Sequence, residues 1–250
     1  MYKFFIKENQ IQDNKIQIKG EDVNHIKNVL RLQKNDQIQV CNSDTAESYL
    51  TNIIEINKDD IMVEILKECM NTTESIISLH VFQGLPKQEK MEQIIQKATE
   101  IGVSDITPVK MERCVVKLDE KTALKKIERW QKIAEGAAKQ SKRDKIPKIH
   151  PCVTLKNIYE KLEKYDIVIV AYEEEINVNI KQILKAIPKE KVKDIAILVG
   201  PEGGIAKEEI EILKTISNTK IVTLGKRILR TETAPLVLAS VIMYEFDEME

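Results

Sequence analysis

The residues of this chain best suited to chemistry lie in two runs near its carboxyl end. One, Leu224-Gly-Lys-Arg-Ile-Leu-Arg-Thr-Glu-Thr-Ala-Pro235, places two arginines, a lysine and Glu232 in an irregular segment between two apolar ones. Charges in such a place are costly unless they are paired or used. A carboxylate beside a guanidinium can take up a proton and stabilise the anion left behind. The bland alternative is that Thr231 or Thr233 caps the following helix while Arg227 pairs with a surface carboxylate. The other run, Ile195-Ala-Ile-Leu-Val-Gly-Pro-Glu-Gly-Gly204, is apolar and then breaks into glycines. It reads as a buried strand whose carboxyl end lets backbone approach a ligand closely. Pro201 biases Gly200 toward extended geometry, and Glu202 is either a turn carboxylate facing the next helix or a participant in the chemistry.

Neither run is a phosphate cradle. The chain has no G-x-G-x-x-G and no G-x-x-x-x-G-K-[ST] at these positions, so the dinucleotide fingerprint and the P-loop are both missing. Cysteines 41, 69, 114 and 152 form no C-x-x-C pair, and His25, His80 and His150 are equally scattered. That distribution favours a reduced, cytoplasmic protein over a disulfide framework, and no metal is expected. With 42% hydrophobic and 32% charged residues and a net charge of −1, the composition is that of a globular protein with no global pull toward nucleic acid. The amino terminus is too short and too charged for a signal peptide, and no apolar run is long enough for a membrane helix.

The elements that must position these runs change character along the chain. Up to about residue 70, short β-rich stretches at Phe4–Lys7, Gln37–Val40, Ser48–Ile56 and Ile61–Leu66 predict a small β-barrel. One helix interrupts them, capped by Asp22, with Val23, Ile26, Val29 and Leu30 on one face. A polar stretch from Lys67 to Ser75 marks the domain boundary, giving expected domains 1–70 and 74–250. Beyond it, strands expected at Ile76–Phe82, Ile106–Val109, Ile167–Ala171, the central run and Ile221–Leu224 alternate with helices at Gln88–Ile101, Glu120–Gln140, Thr154–Tyr165, Asn177–Ile187 and Ala206–Ile216. Such alternation predicts an α/β fold with a mostly parallel sheet, and the loops after Ala171, Val199 and Leu224 would then meet at one sheet edge. The last helix, Pro235–Phe246, is apolar all round and must be buried in the core or against a second subunit.

A basic tract sets Lys132, Lys139, Lys142, Arg143, Lys145 and Lys148 against only Glu135 and Asp144, and Lys3, Lys27, Arg31 and Lys34 form a smaller group. Either tract could hold phosphates, or be a solvated face. Aromatics, at 4%, are too few for extended base stacking.

Taken residue by residue, the chain resembles the bacterial ribosomal RNA small-subunit methyltransferase E family of the SPOUT class. The resemblance rests on Gly200-Pro-Glu-Gly-Gly204 and Leu224-Gly-X-Arg-Ile-Leu-Arg-X-Glu-Thr-Ala234. It extends to His25 with Val29-Leu-Arg-Leu32, Leu85-Pro-Lys with Met91-Glu, Gln96-Lys-Ala-Thr-Glu-Ile-Gly102, Glu112-Arg113 with Val115-Val-Lys117, Glu128-Arg-Trp130 and Ala137-Ala-Lys-Gln-Ser141. Lys3, Asn35 and Gly136 depart from the usual arginine, glycine and glutamate. The resemblance implies a PUA-like β-barrel ahead of a SPOUT-type parallel sheet with a carboxyl-terminal trefoil knot, acting as a homodimer. It also implies S-adenosylmethionine-dependent methylation of N3 of one uridine in 16S rRNA, with the small ribosomal subunit as the setting. Its implied cofactor pocket comprises Leu198, Val199 and Gly200, then Leu224, Gly225, Ile228 and Leu229, with Ala171 and Tyr172 from a third loop. Removing the N3 proton asks for a carboxylate, Glu232 with Glu202 as rival, and Arg230 to stabilise the uracil oxyanion. Lys3, Arg31, Lys142 and Arg143 are the expected RNA contacts. Competing classes are a non-catalytic ribosome-assembly or RNA-binding factor of the same fold and an ordinary nucleotide-binding enzyme. Labelled methyl transfer separates the first, and cofactor preference the second.

Overall fold

Alternating apolar side chains build the first sheet. Its strands are β1 (Lys3–Ile6), β2 (Ile11–Gln12), β3 (Lys15–Lys19), β4 (Gln37–Asn42), β5 (Ser48–Ile56) and β6 (Asp60–Cys69), in the order β1-β4-β5-β6-β3-β2. Only β1 and β4 pair in parallel. Phe4, Ile6, Ile16, Ile18, Ile38, Val40, Ile53, Ile61 and Val63 share one core, so the sheet curls around it. Strand β3 is absent from the expected set although Lys15-Ile-Gln-Ile-Lys alternates strictly. Its isoleucines are fully buried while both lysines face solvent.

The structure is a computed structural model and describes residues 1–70, 73–116 and 118–249. Asn71 and Thr72 of the expected linker and Lys117 of the Val-Val-Lys run lie outside the described residues. The interrupting helix is α1 (Glu21–Asn24), which runs into a π-helical turn at His25–Val29. Its N-cap is Gly20, not Asp22. The turn closes with the Leu30 amide donating to the His25 carbonyl five residues back, at 2.9 Å. The extra residue rotates Val29 out of the expected apolar face, and it is 64% exposed, while Val23, Ile26 and Leu30 stay with the core.

The chain divides into two compact units, Met1–Glu74 with Ala138–Ile146, and Ser75–Ala137 with Pro147–Glu250. Much of the expected basic tract therefore packs with the first unit, and charge pairing explains why. Asp144 accepts from Lys3 Nζ at 2.6 Å, Ser48 Oγ at 2.7 Å and Thr73 Oγ1 at 2.7 Å. Glu74 receives Arg143 Nη2 at 2.6 Å and the amides of Asp144 and Lys145 at 2.9 and 3.1 Å. Lys139 pairs with Asp22 at 2.8 Å, and Ala138 and Ile146 pack with Phe5 and Cys41.

The second unit holds seven strands among its described residues: β7 (Ser78–Gly84), β8 (Asp105–Lys110), β9 (Lys148–Ile149), β10 (Val153–Thr154), β11 (Ile167–Ala171), β12 (Asp194–Val199) and β13 (Thr219–Val222). All pair in parallel in the order β10-β8-β7-β12-β11-β13, with β9 also on β8. The helices are α2 (Lys90–Ile101), α3 (Glu120–Gln140, its last three residues in the first unit), α4 (Tyr159–Leu162), α5 (Ile180–Ala186), α6 (Lys207–Thr215) and α7 (Ala234–Glu245). Helix α2 buries Met91, Ile94, Ile95 and Ala98 and stops at Gly102, whose φ of +109° accepts the left-handed cap. The expected helix over 154–165 is instead β10, a 3-10 turn at Leu155–Ile158 and the short α4. Leu155, Ile158 and Leu162 are buried all the same, because their spacing suits either winding. Helix α7 buries Leu238, Ala239, Ile242 and Met243, leaves Leu236, Val237 and Val241 half-buried, and exposes Tyr244. Among the described residues no helix is long and apolar enough to cross a membrane.

Candidate functional site

Three adjacent strands end level with one another. Ala171 is in register with Val199 on one side and Val222 on the other, so the segments following β11, β12 and β13 emerge from one edge of the sheet. They enclose a cavity of about 690 Å³. Ala171, Tyr172, Val199, Gly200, Leu224, Gly225, Ile228 and Leu229 line it, as do Arg230 and Glu202. Leu198 does not: its side chain is fully buried in the core with Phe82 and Val170, because alternation along β12 turns it onto the sheet face that these residues share. Glu173, Glu175, Ile176, Asn179 and Thr223 also line the cavity and were not among the residues expected from the sequence.

Backbone geometry shapes the cavity. Gly225 has φ +115° with no atom within 4 Å of where a Cβ would stand, so the chain turns there beside open space. Gly84 is the opposite case: a Cβ would meet Pro201 N and Cδ at 2.6 Å and Gly200 C at 2.9 Å. The end of β7 thus supports the Gly200–Pro201 bend from below by direct backbone contact. Beside it, Gln83 Nε2 donates to Thr231 Oγ1 at 3.1 Å, and Thr231 Oγ1 donates to the Gly200 carbonyl at 2.8 Å. Thr231 is therefore no helix cap but a buried tie between the two runs, and Thr233 makes no side-chain cap either.

The charged groups sort themselves by partner. Glu202 accepts the Lys87 amide at 3.0 Å and lies 3.1 Å from Lys90 Nζ, which stands 3.2 Å from Glu232 Oε2. Burial acts to raise the Glu202 carboxyl, but backbone amides of Glu202 and Lys87 and the Lys90 ammonium outweigh it and hold the group below the usual carboxylate value. The Glu202 carboxylate at 3.1 Å, supported by Glu232 and opposed by desolvation, moves Lys90 upward, so it is a cation. Glu232 Oε2 is buried and, among the described residues, accepts no hydrogen bond; its ion pair with Lys90 lies off the hydrogen-bonding direction. Arg230 is exposed at the margin of the cavity. The Arg113 guanidinium donates to the Gly203 carbonyl at 3.2 Å, bringing the segment after β8 against the glycine turn. Among the described residues no cluster of side chains could hold a metal ion.

The expected RNA contacts separate into two kinds. Lys3 and Arg143 are buried in the ion pairs with Asp144 and Glu74, 7% and 5% exposed, which corrects their placement as phosphate-facing charges. A basic run reads as surface until its acidic partners are located in the fold. Arg31 and Lys142 are exposed, both with left-handed backbone, at φ +53° and +61°.

Comparison with known proteins places this geometry. An RNA methyltransferase domain model matches residues 73–243, and an RNA methyltransferase PUA domain model matches residues 18–66. Ribosomal RNA small subunit methyltransferase E of Bacillus subtilis is 38% identical over 253 aligned residues, covering 98% of this chain and 97% of its own. The chain belongs to the ribosomal RNA small subunit methyltransferase E family. A solved member of that family from Neisseria gonorrhoeae, bound to S-adenosyl methionine, superposes with a TM-score of 0.83 at 31% identity, covering 97% of both chains. A putative methyltransferase from Legionella pneumophila, in complex with the same cofactor, gives a TM-score of 0.84 at 28% identity over 97% of both chains.

Proposed function

We propose that this protein, an S-adenosylmethionine-dependent rRNA methyltransferase, methylates N3 of one uridine in 16S rRNA, with Glu232 as base and Arg230 as the oxyanion's partner. The observation that carries the reading is the cavity at three level strand tips, lined by Arg230 and Glu202; Glu232 is not in the lining itself but follows the lining residue Thr231 and pairs with Lys90.

The cavity suits the cofactor. Its volume falls within the range of small-molecule sites, roughly 300–1,000 Å³. Open space over Gly225, apolar Val199, Leu224, Ile228 and Leu229, and the carboxylates Glu173 and Glu175 fit a neutral nucleoside joined to a cationic tail better than a polyphosphate. S-adenosylmethionine supplies an electrophilic methyl group on a sulfonium. The chain's residues must free the uridine's lone pair. Glu232 takes the N3 proton, the electron pair stays on the uracil shared between N3 and the flanking carbonyls, and Arg230 faces that charge. The lone pair would then form the new N–C bond as the methyl–sulfur bond breaks, its electron pair staying on sulfur, which leaves as a neutral thioether.

Two further features belong to the reading. The outward stripe of α7, Val237, Val241 and Tyr244, supports a homodimer, since an apolar helix face of that kind needs a partner. Membership of the family carries the expectation that the carboxyl-terminal segments, tied by Thr231 to Gly200, are threaded as a trefoil knot. Incubating unmodified small subunits, and separately free 16S rRNA, with labelled cofactor and mapping the modified nucleotide tests the reaction. A label on any atom but uridine N3, or none, removes it.

The crowding at Gly84 and the exposure of Arg31 and Lys142 each carry an expected result. Gly84→Ala should lower stability by about 1–3 kcal/mol, as overpacking does, and weaken S-adenosylmethionine binding more than tenfold, since the Cβ meets backbone that cannot step aside. Thermal unfolding and calorimetric titration read both, and unchanged binding would detach β7 from the pocket. Arg31→Glu with Lys142→Glu should weaken RNA binding and flatten its dependence on log salt concentration by roughly 0.7–0.9 for each phosphate that is no longer neutralised. An unaltered slope would return both side chains to an ordinary solvated surface.

A further inference from the structure

The ammonium of Lys90 lies between two carboxylates that reach it from opposite ends of the pocket sequence. Glu202 belongs to the glycine turn after β12, at 3.1 Å, and Glu232 to the segment leading into α7, at 3.2 Å. Among the described residues no third charged side chain forms an ion pair with it. Lys90 opens α2, a separate element that contributes nothing to the lining of the cavity. Both side chains are partly covered, 24% and 26% exposed. Their environments nevertheless differ. Glu202 is occupied by the Lys87 amide as well as by Lys90, whereas the buried Oε2 of Glu232 has the Lys90 charge beside it and accepts no hydrogen bond among the described residues.

We infer that Lys90 is a positioning residue for methyl transfer: its ammonium holds the Glu232 carboxylate in place beside the pocket for the uracil, while Glu202 serves as the anchor that holds Lys90. This inference rests on the reading of Glu232 as the base. The physical logic is a division of labour between like charges. Two carboxylates that both reach one ammonium repel each other without it. A shared cation offsets that repulsion, and the carboxylate that also accepts a backbone amide is the poorer base. The step balances simply. The N3–H bond breaks, its proton forms an O–H bond on Glu232, and the electron pair remains on the uracil. Glu232 then becomes neutral, and the Lys90 charge, no longer fully opposed, acts on the new uracil anion.

The test compares wild type, Lys90→Met and Lys90→Arg for single-turnover methyl transfer to unmodified 16S rRNA across pH, with calorimetric S-adenosylmethionine binding beside it. Lys90→Met is expected to lower the rate at neutral pH at least tenfold and to move the acid limb of the pH–rate profile upward by about one unit. Cofactor affinity should change less than threefold, and Lys90→Arg should bring the limb back, since it restores the charge. An acid limb that stays in place in Lys90→Met overturns the inference. So does an equal loss in Lys90→Met and Lys90→Arg with no change of profile, which marks a merely structural contact. Lys90→Gln, read by the same criteria, replaces Lys90→Met if that variant does not fold. Glu232→Gln separates the two ideas: activity surviving there removes the base itself, whereas an inactive Glu232→Gln with an unmoved limb in Lys90→Met removes only the role of Lys90.

Discussion

Glu232→Gln should lower the rate of methyl transfer by about 10²–10⁴-fold, the usual contribution of a positioned general base, while S-adenosylmethionine binding stays within a few fold. The substitution is nearly isosteric. It keeps a side chain of the same length beside Lys90 and removes the capacity to accept the N3 proton together with the charge that pairs with the ammonium. Its converse is Glu202→Gln. Glu202 already accepts the Lys87 amide at 3.0 Å and lies 3.1 Å from Lys90, and an amide oxygen can still take the backbone hydrogen bond. That variant should lose less than tenfold, a few tenths to about 1.4 kcal/mol of barrier. Single-turnover rates with labelled cofactor decide the matter. Wild-type turnover in Glu232→Gln, or a larger loss in Glu202→Gln, would exchange their roles. Arg230→Lys adds a check on the oxyanion partner, because an ammonium cannot copy the planar fork.

The second large effect is on stability. Asp144→Ala should destabilise the first unit by about 3–5 kcal/mol, the range for breaking a buried ion pair by removing one member. Lys3 and Asp144 are each 3% exposed at the side chain, so the ammonium would be left without its anion. Ser48 and Thr73 would lose their acceptor as well. Burial opposes the charged form of Asp144, yet hydrogen bonds from Lys3, Thr73 and Ser48 outweigh it and hold the carboxyl below its ordinary value. A depressed folded-state value means that the stabilisation is complete above the unfolded value, near 3.9 for aspartate, and is lost as pH falls through the folded one. Wild-type unfolding by urea should therefore show a stability loss on acidification below about pH 4 that is smaller in Asp144→Asn. Equal acid sensitivity in the two proteins would show that Asp144 carries no such charge interaction.

The sequence disclosed the pocket more readily than its surroundings, for physical reasons. Ile195–Gly204 and Leu224–Pro235 announce themselves because an apolar strand that turns abruptly into glycines or charges must stop at the sheet's edge. Alternation of strands and helices then requires parallel neighbours with level tips, as the register of Ala171 with Val199 and Val222 bears out. Lys90 gave no such signal. A lysine in the first turn of an amphipathic helix looks like solvent-facing decoration, and its two partners lie more than a hundred positions away along the chain. Gly84 was equally silent, since only the nearness of Pro201 reveals what its missing side chain permits. Lys3 and Arg143 illustrate the reverse error. Local charge density describes the unpaired chain, and Glu74 and Asp144 cancel it only after tertiary structure forms.

Because residues 138–146 pack with the first unit, the order in which the chain is made matters to that unit. When a ribosome has finished Glu74, every strand of the curled sheet exists, but the counter-ion for Lys3 does not. It appears only after another 70 positions have been translated, roughly 4–14 s later at ordinary elongation rates. Through that interval the nascent sheet carries an unmatched cation and the uncovered thiol of Cys41. Its final consolidation must wait for a piece of chain that follows most of α3.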